Sequence, residues 1–165
     1  MEKPVAGPRL IIVCGLPGSG KTTFSRKLEK TLRAVRLCAD DWLDALAVNL
    51  HRDDMRARVE ALQWKIAQDL LALDLVVIVE WGTWARSERD ALRLKARELG
   101  AAVELHHLSA PPDVLFERLQ RRDRENPPVE REALAGWCEL FQAPTSEEIL
   151  LFDEPLVQER KSLAI

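Results

Sequence analysis

Arg9-Leu-Ile-Ile-Val-Cys-Gly-Leu-Pro-Gly-Ser-Gly-Lys-Thr-Thr23 decides how the rest of the chain is read. Its first half is short, apolar and β-branched, so it predicts a strand buried on both faces. Its second half, Gly15 to Thr22, matches GxxxxGK(S/T). Phe24, Leu28 and Leu32 then recur every four residues, which predicts an amphipathic helix from Lys21 to about Ala34. A strand, a glycine-rich loop and a helix in that order make a phosphate cradle. Glycine allows backbone N–H groups to turn inward around an anion, and the helix N-terminus adds unsatisfied N–H groups and partial positive charge. The expected phosphate contacts are Gly15, Leu16, Pro17, Gly18, Ser19, Gly20, Lys21, Thr22 and Thr23. Lys21 would reach the β- and γ-phosphates of a nucleotide, and the Thr22 hydroxyl would ligate Mg²⁺.

Beyond the loop, short apolar runs alternate with helical stretches. Val35 to Ala39, Leu75 to Val79 and Ala102 to Leu108 read as further strands. Helices are expected over Asp41 to Leu50, from Met55 to Leu73, up to Leu99, from Asp113 to Arg124, and from Val129 to Gln142. Thr145 and Glu148 have capping-box spacing for a last short helix. This alternation predicts an α/β fold, a central parallel sheet with helices on both faces. Right-handed crossovers would put all strand C-termini on one rim, where the chemistry is expected.

The chain has 165 residues, with 24 Lys and Arg against 27 Asp and Glu, a net charge of −3. That length suits one domain over residues 1–165, with a small lid at about 118–131. The acidic balance disfavours a dedicated duplex-DNA binder. Cys14, Cys38 and Cys138 form no CxxC pair and read as reduced core thiols. Met1 to Pro8 lacks a secretory hydrophobic region, and no apolar run is long enough to span a membrane. A cytoplasmic protein is expected.

Asp40 and Asp41 follow the second strand and share the rim with the phosphate loop. Asp40 is the candidate general base for an acceptor hydroxyl, and Asp41 a helix cap or an indirect magnesium partner. Glu80 ends the third strand, where a carboxylate can hold Mg²⁺ through water. The competing account is a rim salt bridge with Arg86 or Arg89. Arg118, Arg121 and Arg122 share one helix face, able to neutralise a transferred phosphoryl group or simply to be a solvated surface. Trp42, Trp81 and Trp84 lie beside Asp41 and Glu80, equally open to an acceptor pocket or to the core. Trp64 and Trp137 read as core. His106 and His107 point to opposite sheet faces and cannot form one site.

Three stretches together carry a family resemblance: Gly15 to Thr23, Ala39-Asp-Asp-Trp-Leu43 and Glu117-Arg-Leu-Gln-Arg-Arg122. The chain resembles the small AAA-like P-loop kinases grouped with zeta toxins, chloramphenicol phosphotransferase and the phage polynucleotide kinase domain. Phe141-Gln-Ala-Pro-Thr-Ser-Glu-Glu148 is similar to that family's closing segment. The resemblance implies a nucleoside-kinase-like α/β/α fold, ATP as donor, Asp40 as base, and lid arginines matching Arg118, Arg121 and Arg122. Two positions depart from the pattern. Glu80-Trp-Gly-Thr83 stands where the family often has Asp-Ala-Thr-Asn, and Leu43 stands where polynucleotide kinases usually place arginine. The second departure disfavours a nucleic-acid acceptor. The expected activity is transfer of the ATP γ-phosphate to a hydroxyl of a small molecule. The rivals are a nucleic-acid or nucleotide kinase, and an ATP-binding regulatory or toxin-like protein with weak ATPase activity.

Overall fold

Apolar runs separated by helical crossovers pair side by side into one parallel sheet. The strands are β1 (Arg9–Cys14), β2 (Val35–Cys38), β3 (Val76–Glu80) and β4 (Ala102–His107), in the order β2-β3-β1-β4. The structure is a computed structural model and describes residues 7–157. The polar start at Met1 to Ala6 lies outside them. The register pairs Cys38 with Glu80 and Cys14 with His107, so all four strands end on one rim.

The helices among the described residues are α1 (Lys21–Leu32), α2 (Ala39–Ala45), α3 (Asp53–Ala72), α4 (Arg86–Glu98), α5 (Pro112–Arg122), α6 (Arg131–Leu140) and α7 (Ser146–Ile149). Side chains alternate across the strands, so each face receives its own core. Ile11, Val13, Val76 and Ile78 pack under Phe24, Leu28 and Leu32 of α1. Leu10, Ile12, Leu37, Val77 and Val79 pack on the other face, under Leu43, Val59, Ala67, Leu71 and Leu92 of α2, α3 and α4. Full burial of one such side chain contributes roughly 1.5–3 kcal/mol. A third cluster sits on the rim. Leu16 of the phosphate loop packs there with Leu115 and Leu119 of α5, Val129, and Leu134 of α6.

Several boundaries differ from the sequence expectation for identifiable reasons. Arg33 adopts a left-handed conformation (φ 51°) and stops α1 at Leu32, short of Ala34. The second helix starts at Ala39 and ends at Ala45, not over Asp41 to Leu50, and Ala47 is left-handed at φ 55°. Cys38 is therefore its N-cap, and Asp41 is not. Both aspartates lie inside the first turn, where negative charge suits the helix dipole. β3 is shifted by one residue to include Glu80 and leave out Leu75. α5 stops at Arg122 because Asp123 is left-handed at φ 46°, which leaves Arg124 beyond the helix. The sixth helix is shorter than Val129 to Gln142 at both ends, since Val129 is spent on the rim core and Phe141 turns extended.

The last short helix is capped as its spacing predicts, with Glu148 N–H donating to Thr145 Oγ1 at 3.1 Å. The reciprocal half of that box is absent, because the Glu148 carboxylate binds Arg89 instead. Cys14 and Cys38 are buried free thiols, pushed up to about 11 and about 12 by burial. Trp64 packs against the core below α3, edge-on to Trp81. His106 contacts Phe24 of α1, whereas His107 stacks on Phe141. Among the described residues no helix is long and apolar enough to cross a membrane.

Candidate active site

The phosphate loop leaves β1 at Gly15, where no side chain fits. A Cβ there would lie 2.3 Å from Leu108 O and 2.8 Å from Ser19 Oγ, and φ is +148°. Gly18 is equally committed: φ is +83°, and a Cβ on it would lie 3.0 Å from Leu115 O. Pro17 and Thr23 complete the loop and the first turn that it enters. Ser19 Oγ is buried and has no hydrogen-bond partner among the described residues. Lys21 folds back over the loop, its Nζ donating to Gly15 O at 2.8 Å and Leu16 O at 2.9 Å. Burial pushes its ammonium down to about 8, against the pull of Asp40 and Glu80.

Thr22 and Glu80 meet directly, the Thr22 hydroxyl donating to Glu80 Oε1. Glu80 Oε2 accepts from Arg36 Nη1 at 2.6 Å. The expected alternative of a salt bridge to Arg86 or Arg89 is corrected by this geometry: the partner is Arg36 of β2. Arg36 Nη2 also binds Asp41 Oδ2, so one buried guanidinium joins the two carboxylates. Its pKa rises despite burial because Asp41 and Glu80 both favour the charged form. Thr22 and Glu80 are hard oxygen donors on the phosphate side of the rim, and that donor set fits Mg²⁺. Among the described residues no group of three or more His, Cys, Asp or Glu could hold a metal by itself.

Asp40 stands across the rim, half-buried. Its Oδ1 accepts from Arg56 Nη1 of α3 at 2.7 Å. Burial raises its carboxyl, but Arg56, Arg124 and Lys21 outweigh burial and hold it below the ordinary aspartate value. Glu60, one turn along α3, is pushed up to about 7 by burial, with Glu88 and Asp40 adding to the rise and Arg56 opposing it.

The arginines of α5 do not act as a set. Arg118 Nη1 donates to Gly18 O at 3.0 Å and so touches the phosphate loop. Arg122 is paired with Glu125, and Arg121 is exposed on the surface. Arg124 pairs with Asp44 and lies 3.9 Å from Asp41. The segment after α5 is latched across the rim. Asn49 Nδ2 donates to Asn126 O at 2.5 Å, and His51 Nε2 lies 2.8 Å from Pro127 O.

The tryptophans divide. Trp81 is core, its Nε1 donating at 2.6 Å to the buried Gln63. Trp42 is partly buried against the core beneath α2. Trp84 lies over Gly82, where a Cβ would come within 2.8 Å of its Nε1, and its ring is 6.0 Å from that of Trp137. Arg89 fixes this loop. It is wholly buried and donates to Thr83 O at 2.9 Å, Trp84 O at 3.2 Å and Gln142 O at 2.8 Å, while pairing with Glu148.

Arg36, Arg56, Glu60 and the Arg89–Glu148 clamp escaped the sequence reading. Arg36 left one signal, a charge in a four-residue strand between apolar neighbours. Arg56 and Glu60 left none, because charges at that spacing are ordinary on any helix surface.

A four-stranded parallel sheet in 2-3-1-4 order, flanked by helices and carrying a phosphate loop after the first strand, defines a P-loop kinase-like nucleotide-binding fold. The family described as AAA domain matches residues 10–144, and the chain belongs to it. Solved structures agree at the level of fold. A gluconokinase from Sinorhizobium meliloti 1021 is 23% identical with TM-score 0.58, covering 87% of this chain and 81% of that one. A chain of the Pnkp1/Rnl/Hen1 RNA repair complex is 22% identical with TM-score 0.68, covering 98% of this chain and 52% of its own length. Kti12 from Chaetomium thermophilum, in complex with ADP-AlF3, is 21% identical with TM-score 0.65, covering 84% and 82%. A search of curated proteins found no match.

Proposed function

We propose that the chain is an ATP-dependent phosphotransferase that moves the γ-phosphate to a hydroxyl of a small-molecule acceptor. The observation that carries this reading is Asp40: a carboxylate held ionised, on the same rim as Lys21 and electrostatically linked to it. ATP would lie with its phosphates in the Gly15–Thr22 loop. Thr22 and Glu80 would hold Mg²⁺, which supplies charge neutralisation on the phosphates. The acceptor O–H gives its proton to Asp40 as the new O–P bond forms. The bond from the γ-phosphorus to the β–γ bridging oxygen breaks, and ADP leaves.

A base of low pKa is tolerable here. The transition state of phosphoryl transfer is loose, so little proton transfer is needed before the phosphorus is attacked. Arg118 is the best placed of the three α5 arginines to meet the transferred group, since it already touches Gly18 of the loop. We read the segment from Arg118 to Arg131 as a lid, whose latch to Asn49 and His51 would exclude water during transfer. Asp41, Trp42 and Trp84 remain our candidates for the acceptor wall.

The test is an ADP-release screen over hydroxylated metabolites and antibiotics, run with Lys21→Ala and Asp40→Asn. Lys21→Ala should lose nucleotide affinity. Asp40→Asn should keep ATP affinity within about twofold while transfer falls by about 10²–10⁴. Full transfer by Asp40→Asn would end the base assignment. Transfer to a 5′-hydroxyl oligonucleotide and to no small alcohol would move the reading to nucleic-acid kinases, as would fit the RNA-repair neighbour.

A further inference from the structure

Asp40 has two carboxylate oxygens, and the fold treats them differently. Arg56 Nη1 donates to Oδ1 at 2.7 Å, and no protein group bonds Oδ2 among the described residues. Arg56 is itself tethered at a second point, Nη2 donating to Leu50 O at 3.2 Å. Leu50 is buried in the core below α2, so that carbonyl is a firm anchor. Arg56 and Asp40 have equal side-chain exposure, 29% each, so the pair is shielded without being sealed. One end of the guanidinium is thus fixed to the scaffold and the other to a single oxygen of the carboxylate. Such an arrangement sets the rotation of the Asp40 carboxyl about its last side-chain bond, a torsion that is otherwise broad.

We propose that Arg56 is a positioning residue for phosphoryl transfer: it holds Oδ1 of Asp40 so that Oδ2 is presented to the acceptor hydroxyl. This rests on the reading of Asp40 as the base. In the step itself the acceptor oxygen forms its bond to the γ-phosphorus, its proton passes to Oδ2, and ADP departs with the electrons of the broken P–O bond. Arg56 neither gives nor takes a proton. It keeps its hydrogen bond to Oδ1 while Oδ2 becomes protonated, and the proton leaves to solvent after the product.

Other charges around Asp40 are named by the fold. Arg56 and Glu60 face it from α3, Lys21 from the start of α1, Arg124 from beyond α5, and the Cys38 thiol from the end of β2. Lys21 is engaged with the loop carbonyls and Arg124 with Asp44, which leaves Arg56 as the only one of these cations in hydrogen-bond contact with Asp40.

The experiment is a carboxyl-carbon NMR titration of the full chain, free of nucleotide, in the wild type, Arg56→Gln and Arg56→Lys. Arg56→Gln should raise the Asp40 midpoint by about one pH unit or more, the size expected when an adjacent opposite charge is removed. Arg56→Lys keeps the charge, should move it by less than half as much, and serves if the glutamine variant fails to fold. With the acceptor found by the screen, Arg56→Gln should lower kcat about tenfold or more and leave KM for ATP within twofold. The acid limb of its pH–rate profile should rise with the NMR midpoint, a shift that a purely structural role would not give. An Asp40 titration unmoved in a folded Arg56→Gln variant, with Asp40→Asn inactive, overturns this inference alone. Full transfer by Asp40→Asn removes the base reading, and this inference with it.

Discussion

Replacing Arg89 with methionine should cost the fold about 3–5 kcal/mol, the range for removing one partner of a buried ion pair. The magnitude follows from what the guanidinium satisfies. Arg89 is 0% exposed and Glu148 1% exposed. Nε and Nη2 bind the two carboxylate oxygens at 2.6 and 2.9 Å, and the remaining N–H groups serve Thr83 O, Trp84 O and Gln142 O. Methionine matches much of the volume and none of the hydrogen bonds, so an ionised Glu148 and the Thr83 and Gln142 carbonyls lose their partner, while Trp84 O keeps the Gln142 N–H at 2.9 Å. In a domain of this size each kcal/mol moves Tm by roughly 2–4 °C, so a fall of roughly 6–20 °C is expected. Urea unfolding at constant m-value measures the loss directly. The double variant Arg89→Met, Glu148→Leu removes both charges and should recover about 2 kcal/mol or more of it. A single-variant cost below about 1 kcal/mol, or no recovery in the double variant, would refute the view that this pair holds the segment around Gln142 against the Trp84 loop.

Three further outcomes follow from individual contacts. Burial pushes the Glu60 carboxyl from 4.5 up to about 7, so between those values the native state holds a proton that the unfolded chain releases. Its stabilising contribution is full below pH 4.5 and is lost as pH rises through about 7, so Glu60→Gln should gain about 1–3 kcal/mol on the wild type between about pH 4 and 8; a pH-independent difference in urea unfolding contradicts this. Arg36→Met leaves Glu80 and Asp41 without their shared cation, and millimolar MgCl₂ should then raise Tm more in the variant than in the wild type. An equal Mg²⁺ response in thermal unfolding counts against it. Gly15→Ala drives a Cβ to 2.3 Å from Leu108 O, so the loop must shift. Calorimetry should show ATP affinity reduced by about tenfold or more, equivalent to about 1.4 kcal/mol, and an unchanged Kd would contradict the cradle.

Local pattern made much of this molecule readable. The run Arg9 to Cys14 is apolar at every position after the first, and only a central strand of a covered parallel sheet buries such a run. Gly15 to Thr22 is contiguous, so its chemistry is written in eight adjacent residues. Phe24, Leu28 and Leu32 fix the helix face that covers β1 and β3. Asp40 and Glu80 could be found because parallel strands must end on one rim.

Boundaries were less legible. Arg33 and Ala47 redirect the chain in left-handed conformations that their residue types do not advertise, and Asp123 does so as one aspartate among many in the chain. For that reason Arg124 read as helical when it lies beyond α5. Asp41 read as a cap for another reason: α2 begins two residues earlier, at Ala39, with no polar side chain at its Cys38 cap to mark the start.

The phosphate loop, the parallel sheet and the rim on which Asp40 and Glu80 stand are legible in the chain because each depends on adjacent residues or on a repeating period. The partners of those carboxylates are set by folding, which brings distant residues together. Arg36 reaches Glu80 across 44 residues of sequence, Arg56 reaches Asp40 across 16, and Arg89 reaches Glu148 across 59. An ion pair is chosen by distance and by shelter from water, and neither has a period that a sequence could display.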